Sequence, residues 1–190
     1  MKTIVVYTSQ TGFTKKYAEW ISQEMNADIM TLGDAKKKEI SFFNIYDVII
    51  YGGWAIAGKI KNADWLIGNI SNWKDKELVL FCVGASPNEN PDVDVALHNV
   101  LTDEQRNYVK TFYCQGGLDY DKMVLPSKLA MKAFAAMLSK KKDMSPNEVK
   151  MAEMMSKSYD ISDRKYVEPI VEYHAVTNDM KISKRKLNEN

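Results

Sequence analysis

The feature that most constrains the fold of this chain is a short apolar run near the N-terminus that ends in a loop of hydroxyl side chains. Ile4–Tyr7 are four consecutive apolar residues, a pattern typical of a strand buried on both faces. The loop after it carries three threonines and one serine around Gly12, and an amphipathic helical pattern follows directly. Such a strand–loop–helix unit directs N–H groups and hydroxyls to one point at the positive end of a helix dipole. We therefore predict that this loop holds a phosphate group, with seven candidate residues: Thr8, Ser9, Gln10, Thr11, Gly12, Phe13 and Thr14.

Two other phosphate-binding sequences are absent from this region. Neither G-x-G-x-x-G nor G-x-x-x-x-G-K-[ST] occurs, so the loop does not predict a dinucleotide or a nucleoside triphosphate as ligand. A simpler interpretation is that Ser, Thr and Gly only form a turn and cap the helix. A cap requires one hydroxyl and this loop offers four, which favours the phosphate interpretation.

The rest of the chain repeats the alternation of a short apolar run, a loop of small residues and a helical pattern. Further strands are predicted over residues 27–32, 46–51, 77–84 and 109–114, and helices over 14–26, 61–73 and 91–102. This alternation predicts an α/β fold with an open parallel sheet, helices on both faces and right-handed crossovers. Ligands of such sheets bind beyond the carboxyl ends of the strands.

The last third of the sequence is predicted to be helical. Helices are expected over residues 126–142, over about 146–158 with Ser145 as N-cap, and over 168–177. We expect one domain over residues 1–178, with a helical insertion at about 119–160 after the fifth strand. Residues 179–190 are expected to form a basic, flexible tail.

Composition excludes several classes of protein. A chain of 190 residues, 45% apolar and 27% charged, is long enough for one well-buried domain. Cys82 and Cys114 lie far apart in apolar runs, which argues against a metal site or a disulfide framework and favours a cytoplasmic setting. The N-terminal apolar run is too short for a signal peptide, and no stretch is long enough to span a membrane. With a net charge of +1, we expect no nucleic-acid partner.

The loop T-S-Q-T-G-F-T resembles the FMN-phosphate loop of flavodoxins, loosely [ST]-x-[ST]-x-T-G-x-T, and it follows the first strand as it does there. The resemblance implies a doubly wound five-stranded parallel sheet in the order 2-1-3-4-5 and noncovalent binding of FMN. It also implies that the loops after the first, third and fourth strands meet at the cofactor.

Two of those loops are expected to hold the isoalloxazine ring, because their small side chains let backbone amides approach it closely. The loop after the third strand contributes Gly53, Trp54, Ala55, Ile56, Ala57 and Gly58, and the loop after the fourth strand contributes Val83, Gly84, Ala85 and Ser86. Trp54 either stacks on the ring or packs as an ordinary hydrophobe. Related proteins often have the sequence G-S-S-I-Y-A-G-K-I here. Ile56 occupies the position of their tyrosine, so this chain lacks the aromatic residue expected there.

The segment G-G-L-D-Y-D-K-M after the fifth strand resembles a flavodoxin-domain subfamily that contains the bacterial menaquinone-dependent protoporphyrinogen oxidase. The resemblance spans nearly the whole chain and includes the helical insertion. It implies that four residues border the flavin: Gly116, Gly117, Asp119 and Tyr120. The alternative is that the two glycines and the aspartate only form a turn.

We expect the protein to act as an FMN-dependent electron carrier or small oxidoreductase, without a catalytic acid, base or nucleophile, and with a redox protein or a quinone as partner. One alternative is an enzyme of the protoporphyrinogen-oxidase type that passes electrons to a quinone, although the flavin loops lack a basic cluster for porphyrin propionates. Another is a non-enzymatic domain that has lost its flavin.

The helix at 127–142 is apolar on more than one face and flanked by lysines. It either rests on a membrane surface or packs on its own domain.

Overall fold

Five parallel strands form the central sheet of the computed structural model, which describes the backbone of residues 1–140 and 143–188. A sixth, two-residue strand pairs antiparallel with the third one as a hairpin. The strands of this sheet are β1 (Thr3–Tyr7), β2 (Asp28–Thr31), β3 (Val48–Ile56), β4 (Lys59–Ile60), β5 (Glu77–Gly84) and β6 (Val109–Gln115). The parallel strands follow the order β2-β1-β3-β5-β6. The predicted order of the five main strands is therefore confirmed.

Eight helices and a second small sheet complete the described part of the chain. The helices are α1 (Phe13–Met25), α2 (Leu32–Ala35), α3 (Asp64–Ile67), α4 (Pro91–His98), α5 (Asp103–Arg106), α6 (Leu125–Ser139), α7 (Pro146–Met155) and α8 (Glu168–Asn188). Short 3-10 turns cover Ile40–Ile45, Ile70–Asn72 and Arg164–Tyr166. The second sheet pairs β7 (Gly117–Leu118) with β8 (Tyr159–Asp160) antiparallel, and this pairing encloses α6 and α7 as an insertion after β6.

Several of the predicted helices have other boundaries. The helix expected over 91–102 ends at His98, and the one expected over about 146–158 ends at Met155. The helix expected over 61–73 is divided into α3 and a 3-10 turn, because Gly68 follows α3 and the Asn69 side chain donates to the carbonyl oxygen of Trp65 at 2.7 Å. The last helix, expected to end at residue 177, continues to Asn188. Residues 179–188 are therefore helical, and their sequence contains several good helix formers and no glycine or proline. Lys141 and Lys142 of the predicted helix 126–142, and residues 189–190 of the predicted tail, lie outside the described residues.

The sheet separates two cores, as the alternation of side chains along each strand requires. Ile4, Ile49 and Leu78 face one side, where they pack with Trp73. Val5, Ile50 and Val79 face the other side, against α1 and α8. A third, smaller cluster lies under α6 and α7 and contains Leu118, Tyr120 and Met155.

Strand β3 is longer than predicted. It was expected to stop at Gly52–Gly53, but it continues to Ile56 and returns as β4 through a two-residue turn at Ala57 and Gly58. Both turn residues have positive φ angles, 48° and 72°, as in a type I′ hairpin turn. The segment predicted as a loop is therefore an exposed hairpin arm at the carboxyl edge of the sheet.

The turn makes a prediction about stability. Ala57 occupies a left-handed conformation that costs an L-residue with a β-carbon about 1 kcal/mol or more. Asn-Gly is a preferred pair for this turn, so Ala57→Asn is expected to raise the free energy of unfolding by about 0.5 to 1 kcal/mol. Urea denaturation measures the change. Ala57→Val is the control with the opposite sign, because a β-branched residue tolerates a positive φ poorly, and a loss of stability in Ala57→Asn would contradict the turn assignment.

Candidate functional site

The loop between β1 and α1 leaves the N-terminus of α1 open. The Thr8 N–H donates to the carbonyl oxygen of Gly52 at 2.9 Å, which ties the start of the loop to β3. The Gly12 N–H donates to Ser9 Oγ at 3.2 Å, and Gly12 itself, with a φ of 101°, is the N-cap residue. No side chain of the described residues caps α1, so its first-turn amides have neither a capping partner nor an intrahelical acceptor. They form the kind of donor set that binds an anion.

A cavity of about 430 Å³ adjoins this loop and carries positive charge on its rim. It is lined by Tyr7, Thr8, Ser9, Gln10, Thr11, Gly12, Lys15, Thr31, Leu32, Gly33 and Lys122. Lys15 pairs with Glu19 at 3.6 Å, and Lys122 pairs with Asp119 at 2.9 Å. Of the seven predicted phosphate-loop residues, Thr8 to Gly12 line the cavity. Phe13 and Thr14 belong to the first turn of α1, where Thr14 is buried.

A groove of about 260 Å³ opens between the hairpin arm, the loop after β5 and α4. It is lined by the predicted residues Ala55, Ile56, Ala57, Gly58, Gly84, Ala85 and Ser86, together with Lys59, Ile60, Cys82, Asn90, Asp92, Val93, Ala96, Leu97, Val100 and Tyr113. Three predicted residues do not line this groove. Gly53 is buried at the base of the hairpin, Trp54 is half-buried, and Val83 packs in the core on the α1 side.

Three hydrogen bonds hold the loop after β5, and they involve side chains that the sequence did not predict for the site. The Tyr113 hydroxyl donates to the carbonyl oxygen of Ser86 at 2.8 Å, and the Tyr159 hydroxyl donates to that of Ala85 at 2.7 Å. The Asn88 N–H donates to Gln115 Oε1 at 3.0 Å. Tyr159 belongs to β8, so the inserted segment directly supports one wall of the groove. No sequence signal identifies such a pair, because Tyr159 and Ala85 are distant in the chain.

The Gly-Gly-Leu-Asp-Tyr segment forms the base of the insertion. A β-carbon on Gly117 would lie 2.1 Å from the carbonyl oxygen of Tyr159, so the close pairing of β7 with β8 requires glycine there. A β-carbon on Gly116 would meet the Val83 side chain at 2.7 Å. The buried Tyr120 donates its hydroxyl to the carbonyl oxygen of Met155 at 2.6 Å. Of the four residues predicted here, Asp119 is connected to the cavity beside the β1–α1 loop, through its ion pair with Lys122.

The Tyr159 contact predicts a change in the alkaline unfolding profile. Burial raises the pKa of Tyr159 to about 12, above the ordinary value of 10. The neutral hydroxyl therefore contributes stability that is complete below pH 10 and is lost as the pH rises toward 12. Tyr159→Phe removes this titration, so between these pH values its stability is expected to fall less steeply, by about one proton per molecule. Urea denaturation at several pH values measures the slope, and an unchanged slope would contradict the contact.

The surroundings of the two cysteines and of His174 are those of structural residues rather than of catalytic ones. Burial raises the pKa of the Cys82 thiol to about 12 and raises that of Cys114 further, so both thiols stay protonated near neutral pH. His174 Nδ1 lies 3.3 Å from both carboxylate oxygens of the buried Glu77, where α8 packs on the sheet.

Among the described residues no group of His, Cys, Asp and Glu is arranged to hold a metal ion. In the same part of the chain, no helix has the length and apolar character needed to cross a bilayer.

Comparison with known families agrees with this architecture. A family model described as a flavodoxin domain matches residues 4–145, which is most of the chain. The chain belongs to the flavodoxin domain family. This flavodoxin-domain protein is also 30% identical, over 122 residues, to the flavodoxin-like domain-containing protein BilS of Clostridioides difficile. That alignment covers 61% of the chain and 66% of the relative, so it spans just under two thirds of the relative's length.

Solved flavoproteins are similar to this flavodoxin-domain protein at lower identity. A flavoprotein from Lactobacillus acidophilus in complex with FMN is 20% identical, with a TM-score of 0.42, over 60% of this chain and 91% of that one. A WrbA-like flavodoxin from Agrobacterium tumefaciens is 18% identical, with a TM-score of 0.40, over 82% of this chain and 95% of that one.

Proposed function

We propose that this flavodoxin-domain protein binds FMN noncovalently and transfers electrons to a redox protein or a quinone. The observation that carries the proposal is the uncapped N-terminus of α1, which lies in a loop of hydroxyl side chains beside a cavity. The amides of the first turn and the hydroxyls of Ser9 and Thr11 would hold the phosphate group. Lys15 and Lys122 on the rim add positive charge that suits a phosphate dianion.

The residues present fit both ends of FMN. The phosphate cavity lies at the carboxyl ends of β1 and β2, and the groove lies beyond β3 and β5. Because β1 and β3 are neighbours in the sheet, a ligand with a phosphate at one end and a planar ring at the other can span the two openings. Nothing lies within 4 Å of the position that a β-carbon on Gly12 would take, so the loop is open toward such a ligand.

In this arrangement the protein and the cofactor would have different roles. Bound FMN would supply the electron-transfer chemistry, so no side chain is needed as acid, base or nucleophile. The chain orients the phosphate through α1 and fixes one groove wall through Tyr113 and Tyr159. Small residues such as Ala55, Ala85 and Ala96 line the groove and would leave room for the ring. The two buried free thiols suit a reducing cytoplasm.

Anaerobic reduction of the FMN-loaded protein tests the carrier role. We expect dithionite to reduce the flavin and a one-electron acceptor protein such as cytochrome c to reoxidise it stoichiometrically. Free FMN at the same concentration is the control for exchange through solution. A reduced flavin that stays reduced in the presence of several acceptor proteins and quinones would argue against electron transfer as the function.

A second candidate is an enzyme of the protoporphyrinogen-oxidase type. It is favoured by the Gly-Gly-Leu-Asp-Tyr segment and by the insertion of α6 and α7, whose β8 strand contacts the groove wall through Tyr159. The FMN-loaded protein assayed with a porphyrinogen and a quinone acceptor separates the candidates. Catalytic turnover would exclude a simple carrier, and absence of turnover from a protein that still exchanges electrons would exclude the enzyme.

A further inference from the structure

Helix α6 is apolar on the face that it buries and also on the face that it exposes. Met131, Ala135 and Leu138 pack inward on the cluster around Tyr120 and Met155. The opposite face exposes Leu125 to 68%, Leu129 to 58% and Met137 to 64%, with exposed alanines between them. Phe134, 43% exposed, extends this surface on one flank. An ordinary surface helix has polar residues on its outer face. Packing on its own domain therefore explains the apolar residues on the inner face of α6 but not those on its outer face.

The sequence segment that carries this helix is rich in lysine. Residues 122–142 contain six lysines and no aspartate or glutamate, whereas the whole chain has a net charge of only +1. Lys128 and Lys132 stand on the flank of the apolar face, and Lys140 follows the end of the helix. Among the described lysines of the segment, Lys122 pairs with Asp119 at 2.9 Å, and Lys128 lies 3.9 Å from Asp121. Residues 119–143 still contain six lysines against three aspartates.

We propose that the outer face of α6 binds the surface of an anionic membrane. A helix with Leu, Met and Phe on one face and lysines along its margin lies in the interface, with the apolar side chains among the acyl chains and the ammonium groups among the lipid head groups. Each lysine near an anionic surface adds to the attraction. The all-lysine charge and the continuous apolar face favour a lipid surface over a protein partner, because a protein interface of this kind is depleted of lysine.

This placement is independent of whether the protein binds FMN. It has a consequence for the proposed function, because α6 packs on the cluster that also contains Ala85 and Tyr159 of the groove wall. Binding through α6 would therefore hold the candidate flavin site beside the membrane, where a lipid-soluble acceptor dissolves.

Cosedimentation with vesicles tests the proposal on the full chain, with and without FMN. We expect binding to phosphatidylcholine vesicles that contain about 30% phosphatidylglycerol to exceed binding to pure phosphatidylcholine by about tenfold or more, and to weaken as salt is raised. Equal binding to both vesicle types, or binding to neither, would overturn the proposal.

Two variants locate the contact on α6. The double variant Leu129→Glu and Met137→Glu is expected to lose about tenfold or more in vesicle binding, because each change removes an inserted apolar group and adds a repelled charge. Val176→Glu on α8, where the valine is 52% exposed, is the matched control and is expected to bind like the wild type. Circular dichroism verifies that both variants are folded. Lys132→Gln tests the charge contribution by itself, because it removes one positive charge and leaves the apolar face intact.

The same experiment distinguishes the other occupants of this face. Wild-type affinity for anionic vesicles in the folded double variant would overturn the assignment to α6. A wild-type dimer in size-exclusion chromatography that the double variant converts to a monomer, without vesicle binding by either, would overturn the lipid proposal in favour of self-association.

Discussion

Replacing Ser9 with aspartate is expected to weaken FMN binding by about 100-fold while leaving riboflavin binding unchanged. Ser9 Oγ accepts the Gly12 N–H at 3.2 Å, so its side chain lies within the loop that we assign to the phosphate. A carboxylate there faces the charge of the phosphate, and like charges about 5 to 6 Å apart repel by about 3 kcal/mol at an effective dielectric constant near 20. Each 1.4 kcal/mol is a factor of about ten in affinity. Riboflavin has no phosphate and escapes the repulsion.

Ser9→Asn is the matched control for this change. Asparagine has nearly the shape of aspartate and accepts the same hydrogen bond from a backbone N–H two or three residues later, but it carries no charge. We expect its FMN affinity to stay close to that of the wild type. Flavin fluorescence titration of the three proteins measures the difference, and equal FMN affinities of the aspartate and asparagine variants would place the phosphate elsewhere.

Replacing Gly52 with alanine is expected to lower the free energy of unfolding by about 3 kcal/mol, at the upper end of the usual cost of overpacking. A β-carbon at this position would lie 2.0 Å from the ring of Phe81, which is fully buried on the neighbouring strand β5. The ring has no space to move, since protein cores are close-packed. Because the Gly52 carbonyl oxygen also accepts the Thr8 N–H, the strain reaches the phosphate loop, and FMN affinity is expected to fall as well.

Gly33→Ala controls for the loss of a glycine as such. Its β-carbon would lie 3.7 Å from Thr31 Oγ1, an ordinary van der Waals distance, and Gly33 is helical, so this variant is expected to be neutral or slightly more stable. Urea denaturation with a common slope compares the two variants. Equal stability of the two alanine variants would contradict the packing of Phe81 against Gly52.

The sequence predicted the sheet well because its signals are local. Each core strand is a short apolar run closed by small residues, and the alternation with helices leaves few topologies for the chain. The loop after β1 could be singled out for the same reason: the hydroxyls, Gly12 and the start of α1 are contiguous in the chain, and five of the seven predicted residues line one cavity.

The contacts around the candidate site that the sequence did not predict join residues that are distant in the chain. Gly52 and Gly53 were interpreted as the end of a strand, but they are required by the Phe81 ring and by the carbonyl oxygen of Lys61, 2.5 Å from a β-carbon on Gly53. Lys122 reaches the cavity beside the β1–α1 loop from the loop after β7, whose position is fixed by pairing with β8. No local pattern reports such a contact.

The central claim is that the N-terminus of α1 and its loop hold the phosphate of FMN. Fluorescence titration of the flavin-free protein with FMN and with riboflavin tests it most directly. The account predicts quenching of FMN with a dissociation constant below about 1 μM, which corresponds to about −8 kcal/mol, and much weaker binding of riboflavin. Equal affinity for the two flavins, or no binding of either, would contradict a phosphate site at Thr8–Thr14 and leave only the fold.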